Sequence, residues 1–202
     1  MDDLRIITCH LGAGSSLCAI ARGKSVDTSM GFTPLSGIVM STRCGDIDPA
    51  IVSFISEKEQ ISVSSVMDIL NRKSGALGIS GISPDFRDLE KEASRGSERA
   101  RLALMVYAYS AARGIASLIP AINGLDALVF TAGIGEHSSA MRERICKFLT
   151  WMDISLDRKM NATDDIEGLI SSVESKVKVI VIPTNEEIMI ARETCAVIRK
   201  NH

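Results

Sequence analysis

Aromatic residues are scarce in this chain, at 4% of 202 residues with a single tryptophan, so aliphatic side chains must build the core. The five cysteines (Cys9, Cys18, Cys44, Cys146 and Cys195) form no Cys-x-x-Cys pair and no zinc spacing. Their odd number, with neither a basic region nor an apolar core at the start, reads as reduced thiols in a cytoplasmic protein. No uninterrupted apolar run approaches the roughly 20 residues of a membrane helix. Acidic and basic residues are interspersed and sum to a net charge of −2, which leaves no basic stripe for nucleic acid or a membrane surface. No Walker A loop, H-E-x-x-H or G-x-S-x-G is present, and there is no internal repeat, low-complexity tract or linker.

What remains is an ordinary globular composition, 46% hydrophobic and 24% charged, long enough for a sizeable core. Residues 4–9 are rich in isoleucine and residues 17–21 are a short apolar run, the two separated by the small-residue turn His10 to Ser16. Arg22-Gly23 is a hairpin turn before a third strand from Lys24, so the chain begins with three antiparallel strands. Asp48-Pro49 is a cap-then-proline helix start, with Ile51, Phe54 and Ile55 on one face. A second helix is expected over 64–72, and Gly75 to Gly81 reads as a tightly packed loop. Ser83-Pro84-Asp85 repeats the helix start, with Phe86, Leu89 and Ala93 as its apolar stripe. The longest helical pattern, 98–119, is nearly apolar all round and is expected to be buried between layers, with close packing at Gly114.

Ala127 to Phe130 is a continuous apolar run that breaks into Gly133 and Gly135 and then opens a helix. A strand ending in glycines puts bare backbone at a sheet edge, where nucleotides commonly bind. By itself, a Gly-x-Gly after a strand is more often a tight turn. Val177 to Ile182 is a second buried strand, followed by Pro183-Thr-Asn-Glu-Glu187 and a helix to about residue 200. A three-strand meander followed by strand–helix units predicts an α/β domain with a mixed sheet, the order of a ribonuclease-H-like fold flanked by helices.

Five polar clusters end strands or open helices: His10 to Ser16, Arg43 to Asp48, Asp85 to Arg87, Gly133 to His137, and Asn185 to Glu187. Glycine turns, an arginine and acidic groups at one edge suit phosphoryl transfer, which needs donors for phosphate, a cation for the transition-state charge and carboxylates for Mg²⁺. Each has a structural explanation too. His10 fits a strand-end histidine and Arg43 a surface ion pair. Asp48 is adequately explained as a helix cap, and Asp85, Glu186 and Glu187 as first-turn acids.

Taken together, His10-Leu-Gly-Ala-Gly-Ser, Lys24-Ser-Val-Asp-Thr-Ser-Met-Gly-Phe-Thr-Pro-Leu35, Thr42-Arg-Cys-Gly-Asp-Ile-Asp-Pro49, Phe130-Thr-Ala-Gly-Ile-Gly-Glu136 and Ile182-Pro-Thr-Asn-Glu-Glu187 resemble the acetate kinase family. The resemblance runs from about Ile6 to Thr194, in the family's order. It implies the second lobe of an actin-like ATPase fold and reversible phosphoryl transfer between ATP and acetate, giving acetyl phosphate and ADP with Mg²⁺. Arg43 is implied as the catalytic arginine of the in-line transfer and Glu186 as the Mg²⁺-associated glutamate. The ATP-contacting segments would be His10, Leu11, Gly12, Ala13 and Gly14; Asp85, Phe86 and Arg87; and Gly133, Ile134, Gly135, Glu136 and His137. Residues 1–186 are expected to form the nucleotide-binding lobe and 187–202 a helix that packs on the first lobe.

The sequence also departs from the family. It resembles only the second half, so the first lobe's asparagine, acyl-binding arginine and catalytic aspartate have no counterpart, nor has a histidine ahead of the first strand. Ala13 and His137 replace a usual Asn, and Cys44 a common Ser. The expectation is a chain that binds ATP/ADP but transfers no phosphate to acetate or another short carboxylate alone. A first lobe supplied in trans and a homodimer are both compatible with it. The alternative is a non-catalytic ATP-binding or interaction domain. The apolar face of the last helix (Ile188, Ile190, Ala191 and Val197) is expected to be partly exposed.

Overall fold

A computed structural model describes residues 3–163 and 166–200, with the backbone alone at 186 and 200. In chain order the elements are β1 (Arg5–Leu11), β2 (Ser15–Ala21), β3 (Lys24–Thr28), α1 (Ala50–Glu59), α2 (Val63–Arg72), α3 (Gly75–Ser80), α4 (Phe86–Ser94) and α5 (Glu98–Ile122). Then come β4 (Ala127–Thr131), α6 (Ala132–His137), α7 (Ser139–Lys147), α8 (Arg158–Asn161), β5 (Gly168–Leu169), β6 (Lys178–Val181) and α9 (Glu186–Lys200). The six strands form one mixed sheet in the order β3-β2-β1-β4-β6-β5. The expected meander β1–β2–β3 is antiparallel, and β1, β4 and β6 run parallel, giving the ribonuclease-H-like order read from the sequence.

The alternation in β1 buries Ile7, Cys9 and Leu11 completely, while Ile6, Thr8 and His10 on the other face are half-buried. The run Ala127 to Phe130 is buried on both faces, as suits a strand flanked by parallel neighbours. Arg5 and Asp126 clamp the start of β1 to the start of β4. The Asp126 carboxylate accepts from Arg5 N at 2.9 Å, Nε at 2.9 Å and Nη2 at 2.5 Å, and these bonds hold its pKa down at about 2.

Helix α5 packs on the sheet and gathers α3, α4 and α7 around it. Ser97 caps it, accepting from Ala100 N at 3.3 Å. Gly114 allows the close approach anticipated, because a Cβ there would lie 2.6 Å from Leu17 Cδ1 and 2.9 Å from Ile38 Cγ2. The expected all-round burial is not found: Leu102, Met105 and Tyr109 are about half exposed along one side. By length and composition Glu98–Ile122 is apolar enough to cross a membrane, but half of its most apolar window is buried against the fold. The arginines at 99, 101 and 113 interrupt the run.

Other local expectations also shift. Gly75 to Gly81 forms the short helix α3 and its cap instead of a loop, since small residues let it sink onto α5 and the loop at Met40. Asp85, not Ser83, caps α4, and Ser83 Oγ accepts from Asp85 N at 3.1 Å. Phe86, Leu89 and Ala93 are buried as expected. Asp48 does cap α1, accepting from Ala50 N at 2.9 Å with Pro49 in helical conformation, yet no α1 residue is buried. Asn185 caps α9, accepting from Ile188 N at 3.0 Å. Ile188, Met189, Ile190, Val197 and Ile198 are all exposed on α9.

Candidate active site

Three parallel strands fix where the site lies. His10 stands opposite Thr131 and Phe130 opposite Val181, so β1, β4 and β6 end level with one another. Their carboxyl ends release the Gly12 to Gly14 turn, the Ala132 turn and Pro183 to Asn185 at one edge of the sheet, the usual ligand edge of such sheets. A cleft of about 1030 Å³ opens there. It is lined by Gly12, Ala13 and Gly14, by Ser41, Thr42 and Arg43, by Pro84 to Arg87 with Glu90, and by Gly133, Ile134, His137 and Ser138. That volume matches the upper end of small-molecule sites, about 1,000 Å³.

The Arg43 loop is fastened by backbone. Met40 N donates to Arg43 O at 3.1 Å, Cys44 N to Leu70 O at 2.9 Å, and Ser74 N to Thr42 O at 2.9 Å. Ala76 N and Leu77 N donate to Met40 O and Ser41 O, each at 2.9 Å. Ser41 N reaches across to Ala13 O at 3.2 Å, so Ala13 contributes through its backbone. Gly75 makes this packing possible. Its φ is +60°, and a Cβ there would overlap the Met40 carbonyl oxygen and lie 2.8 Å from Arg43 O. The Arg43 guanidinium donates to Pro34 O at 3.2 Å and touches Met40 Sδ at 3.7 Å. Among the described residues no carboxylate pairs with it. Its Nη1 lies 3.2 Å from where a Gly14 Cβ would stand, so an uncompensated cation faces the first glycine turn.

The second wall starts at Ala132, a non-glycine at φ +64°. Glu136 Oε1 holds that turn, accepting from Ala132 N at 2.6 Å and from Thr184 N and Oγ1 at 3.0 and 3.2 Å. Its side chain thus ties the end of β4 to the loop after β6. Gly133 is exposed, has an ordinary φ, and would meet nothing within 4 Å if it carried a Cβ. Neither fold geometry nor crowding by this chain calls for a glycine there, and a helical Gly costs about 1 kcal/mol against Ala.

The third wall is the start of α4. Asp85 accepts from Arg87 N at 2.8 Å and pairs with Arg87 Nη2 at 2.5 Å, and those bonds lower its pKa. Phe86 points inward, edge to face with Tyr107 at 4.4 Å between centroids. Tyr107 Oη is 2.9 Å from Ser15 Oγ, which in turn donates to Gly12 O at 3.1 Å. One buried tyrosine therefore couples the Gly12 turn to the α4 wall; burial raises its pKa, so it stays a neutral phenol. Glu90 accepts from both terminal nitrogens of Arg144, joining α4 to α7.

Of the residues picked from the sequence, Gly12, Ala13, Gly14, Arg43, Asp85, Phe86, Arg87, Gly133, Ile134 and His137 line the cleft together. His10 and Leu11 end β1 without lining it, Leu11 being wholly buried. Gly135 is buried behind the turn, and Glu136 braces it. Glu186 opens α9, and its side chain lies outside the described residues. Sequence reasoning did not pick Ser41, Thr42, Pro84, Glu90, Tyr107, Ser138 or Arg142 as site residues. Two of them carried a signal, Thr42 as the first residue of the Thr42 to Pro49 motif and Arg142 by sharing the buried face of Met141, Ile145 and Cys146.

Among the described residues no group of three or more His, Cys, Asp or Glu side chains converges to hold a metal. The carboxylates at the cleft are engaged, Asp85 with Arg87, Glu90 with Arg144 and Glu136 with Ala132 and Thr184. The described carboxylates, so engaged, do not by themselves fit a resident Mg²⁺, which takes near-octahedral oxygen ligands.

The chain is similar to known proteins in sequence and in fold. The chain is 56% identical over 194 residues to the acetate kinase of Carboxydothermus hydrogenoformans, covering 96% of this chain and 48% of that protein. Its fold superposes on the crystal structure of Porphyromonas gingivalis acetate kinase with a TM-score of 0.92 and 43% identity, over 98% of this chain and 50% of that one. A propionate kinase from Francisella tularensis gives a TM-score of 0.90 and 42% identity, over 96% and 49% of the two chains. The chain spans about half the length of the curated relatives it matches. A sequence model of the acetokinase family matches residues 1–192, and the chain belongs to that family.

Proposed function

We propose that this chain is the nucleotide-binding lobe of an acyl kinase that moves a phosphoryl group between ATP and acetate, giving ADP and acetyl phosphate. The observation that carries the proposal is the meeting of Arg43, the Gly12 to Gly14 turn, the Asp85 to Arg87 segment and the Gly133 to His137 turn on one cleft. Arg43 suits the catalytic role because its planar donors match a planar phosphoryl group and no described carboxylate neutralises it. Gly133 and Ile134 form the flat side against which the adenosine rests, and the Gly12 to Gly14 turn faces the phosphates. Mg²⁺ enters as part of the nucleotide substrate, bound to its phosphates, with Glu186 as the nearby protein carboxylate. The acyl substrate is acetate or a short homologue, in line with relatives named as acetate and propionate kinases.

Residues 1–186 act as the lobe and the segment from 187 docks on the acyl-binding half through α9, residues 201 and 202 lying outside the described residues. The exposure of Ile188, Ile190 and Val197 supports this division. The half-exposed Leu102, Met105 and Tyr109 on α5 support a homodimer through this lobe. Five free cysteines fit a cytoplasmic setting. Phosphoryl transfer needs acyl-side groups aligned opposite the γ-phosphate, so the chain alone is expected to be inactive. The test is hydroxamate formation from acetate, ATP and hydroxylamine. The expected result is none from the chain alone and recovery on mixing with a separately expressed acyl-binding half. Hydroxamate from the chain alone, or no recovery over a range of concentrations, overturns the proposal.

A further inference from the structure

Arg142 is the largest wholly buried side chain among the described residues, 1% exposed, and it lies on the core-facing side of α7. Its hydrogen bonds go to neutral acceptors. Nε donates to Asn161 Oδ1 and Nη2 to Asn161 O, each at 2.8 Å. Nη1 donates to Gly135 O at 2.8 Å and Glu136 O at 2.7 Å. Among the described residues no carboxylate pairs with it. Burying a guanidinium with no counter-charge among the described residues is costly unless its donors are all paired. What holds an arginine here is its set of four hydrogen bonds, since the acceptors it serves would otherwise lie buried and unpaired.

What it does uniquely is grip the second half of α6. Glu136 holds the start of that segment through Ala132 N, and Arg142 holds its end through two consecutive carbonyls. Asn161 aims the guanidinium and is itself anchored, its Nδ2 donating to Ser139 O at 3.0 Å. The carbonyls of Gly135 and Glu136 face inward, toward this clamp. Gly133, Ile134 and His137 are left facing the cleft. Only a planar, multidentate donor reaches two carbonyls on α6 and two acceptors on Asn161 at once; an ammonium does not.

We infer that Arg142 is a positioning residue for the nucleotide, setting the conformation of the Ala132–His137 turn without touching the ligand. The inference rests on the nucleotide reading of the cleft. The test compares Arg142→Met and Arg142→Lys with a control, Ile145→Ala, which removes a buried α7 side chain outside the clamp. Amide exchange is followed without ligand, and ADP affinity by calorimetry. In Arg142→Met, exchange over 132–138 should rise about tenfold or more while β1, β4 and β6 keep their protection, and ADP affinity should fall about tenfold. Arg142→Lys should lie between, and it serves as the test if the methionine variant does not fold. Ile145→Ala should lose stability and keep its ADP affinity. Unchanged local exchange, or an affinity loss no greater than the control's, overturns the inference. If the wild-type chain binds no ADP, the nucleotide reading fails, and the exchange pattern alone decides whether Arg142 holds the turn.

Discussion

The Arg43 side of the cleft is fixed by backbone-to-backbone hydrogen bonds from α2, α3 and the Gly12 turn, whereas the Gly133 side hangs on two charged side chains, Glu136 and Arg142. Backbone bonds tolerate changes of side chain but not an added Cβ at a contact point. A side-chain brace tolerates added carbon at the rim but not loss of the brace. The two walls should therefore fail under opposite kinds of substitution. The wall that carries Arg43, the cation proposed to meet the transferred phosphoryl group, is the one locked by backbone, as positioning of that charge would require.

The largest effect is expected at Gly75. Alanine there takes a left-handed φ and drives its Cβ into the Met40 carbonyl, so Gly75→Ala should cost on the order of 3 kcal/mol in urea denaturation. It should abolish nucleotide binding too, because Met40 to Arg43 must move. A variant as stable as wild type would break the picture of a backbone-locked wall. Next comes Glu136→Ala, which leaves Ala132 N, Thr184 N and Thr184 Oγ1 without their acceptor. The cost should be about 1–3 kcal/mol, with Glu136→Gln losing less because it keeps an acceptor oxygen. Equal losses in the two variants would show that charge, not hydrogen bonding, braces that wall. The smallest effect on stability belongs to Gly133→Ala. With open space at its Cβ, the variant should match wild type or gain up to about 1 kcal/mol in thermal unfolding.

Much of this arrangement was legible in the sequence, for physical reasons that differ by element. Ala127 to Phe130 is a continuous apolar run, so its burial between parallel neighbours could be read directly, while Val177 to Ile182 is apolar apart from Lys178 and buries Val179 and Val181 beside β4. The turns after them are marked by glycine and proline, which placed the clusters at one edge. The α3 segment was misread because glycine-rich sequence looks like loop, and its helix is made by packing against Met40 and α5. The open side of α5 was hidden because Leu102, Met105 and Tyr109 are as apolar as the buried residues beside them. Tyr107 gave no sign of its role, since linking Ser15 to Phe86 depends on residues far apart in the chain. The site motifs were found as patterns, but their division of labour was not. Gly135 and Glu136 fall in the same motif as Gly133, and only the fold separates the residues that face the cleft from those that brace it.

The glycine at 133 puts the central claim, that this cleft receives a nucleotide, to its most direct test. Calorimetric titration of ATP with Mg²⁺ into the wild-type chain and into Gly133→Ala compares two proteins of nearly equal stability that differ by one methyl group at the cleft wall. The account predicts saturable binding by wild type and affinity lower by about tenfold or more in the variant, with no loss of Tm. No heat and no thermal shift with wild type, or equal affinity in the two proteins, would contradict it.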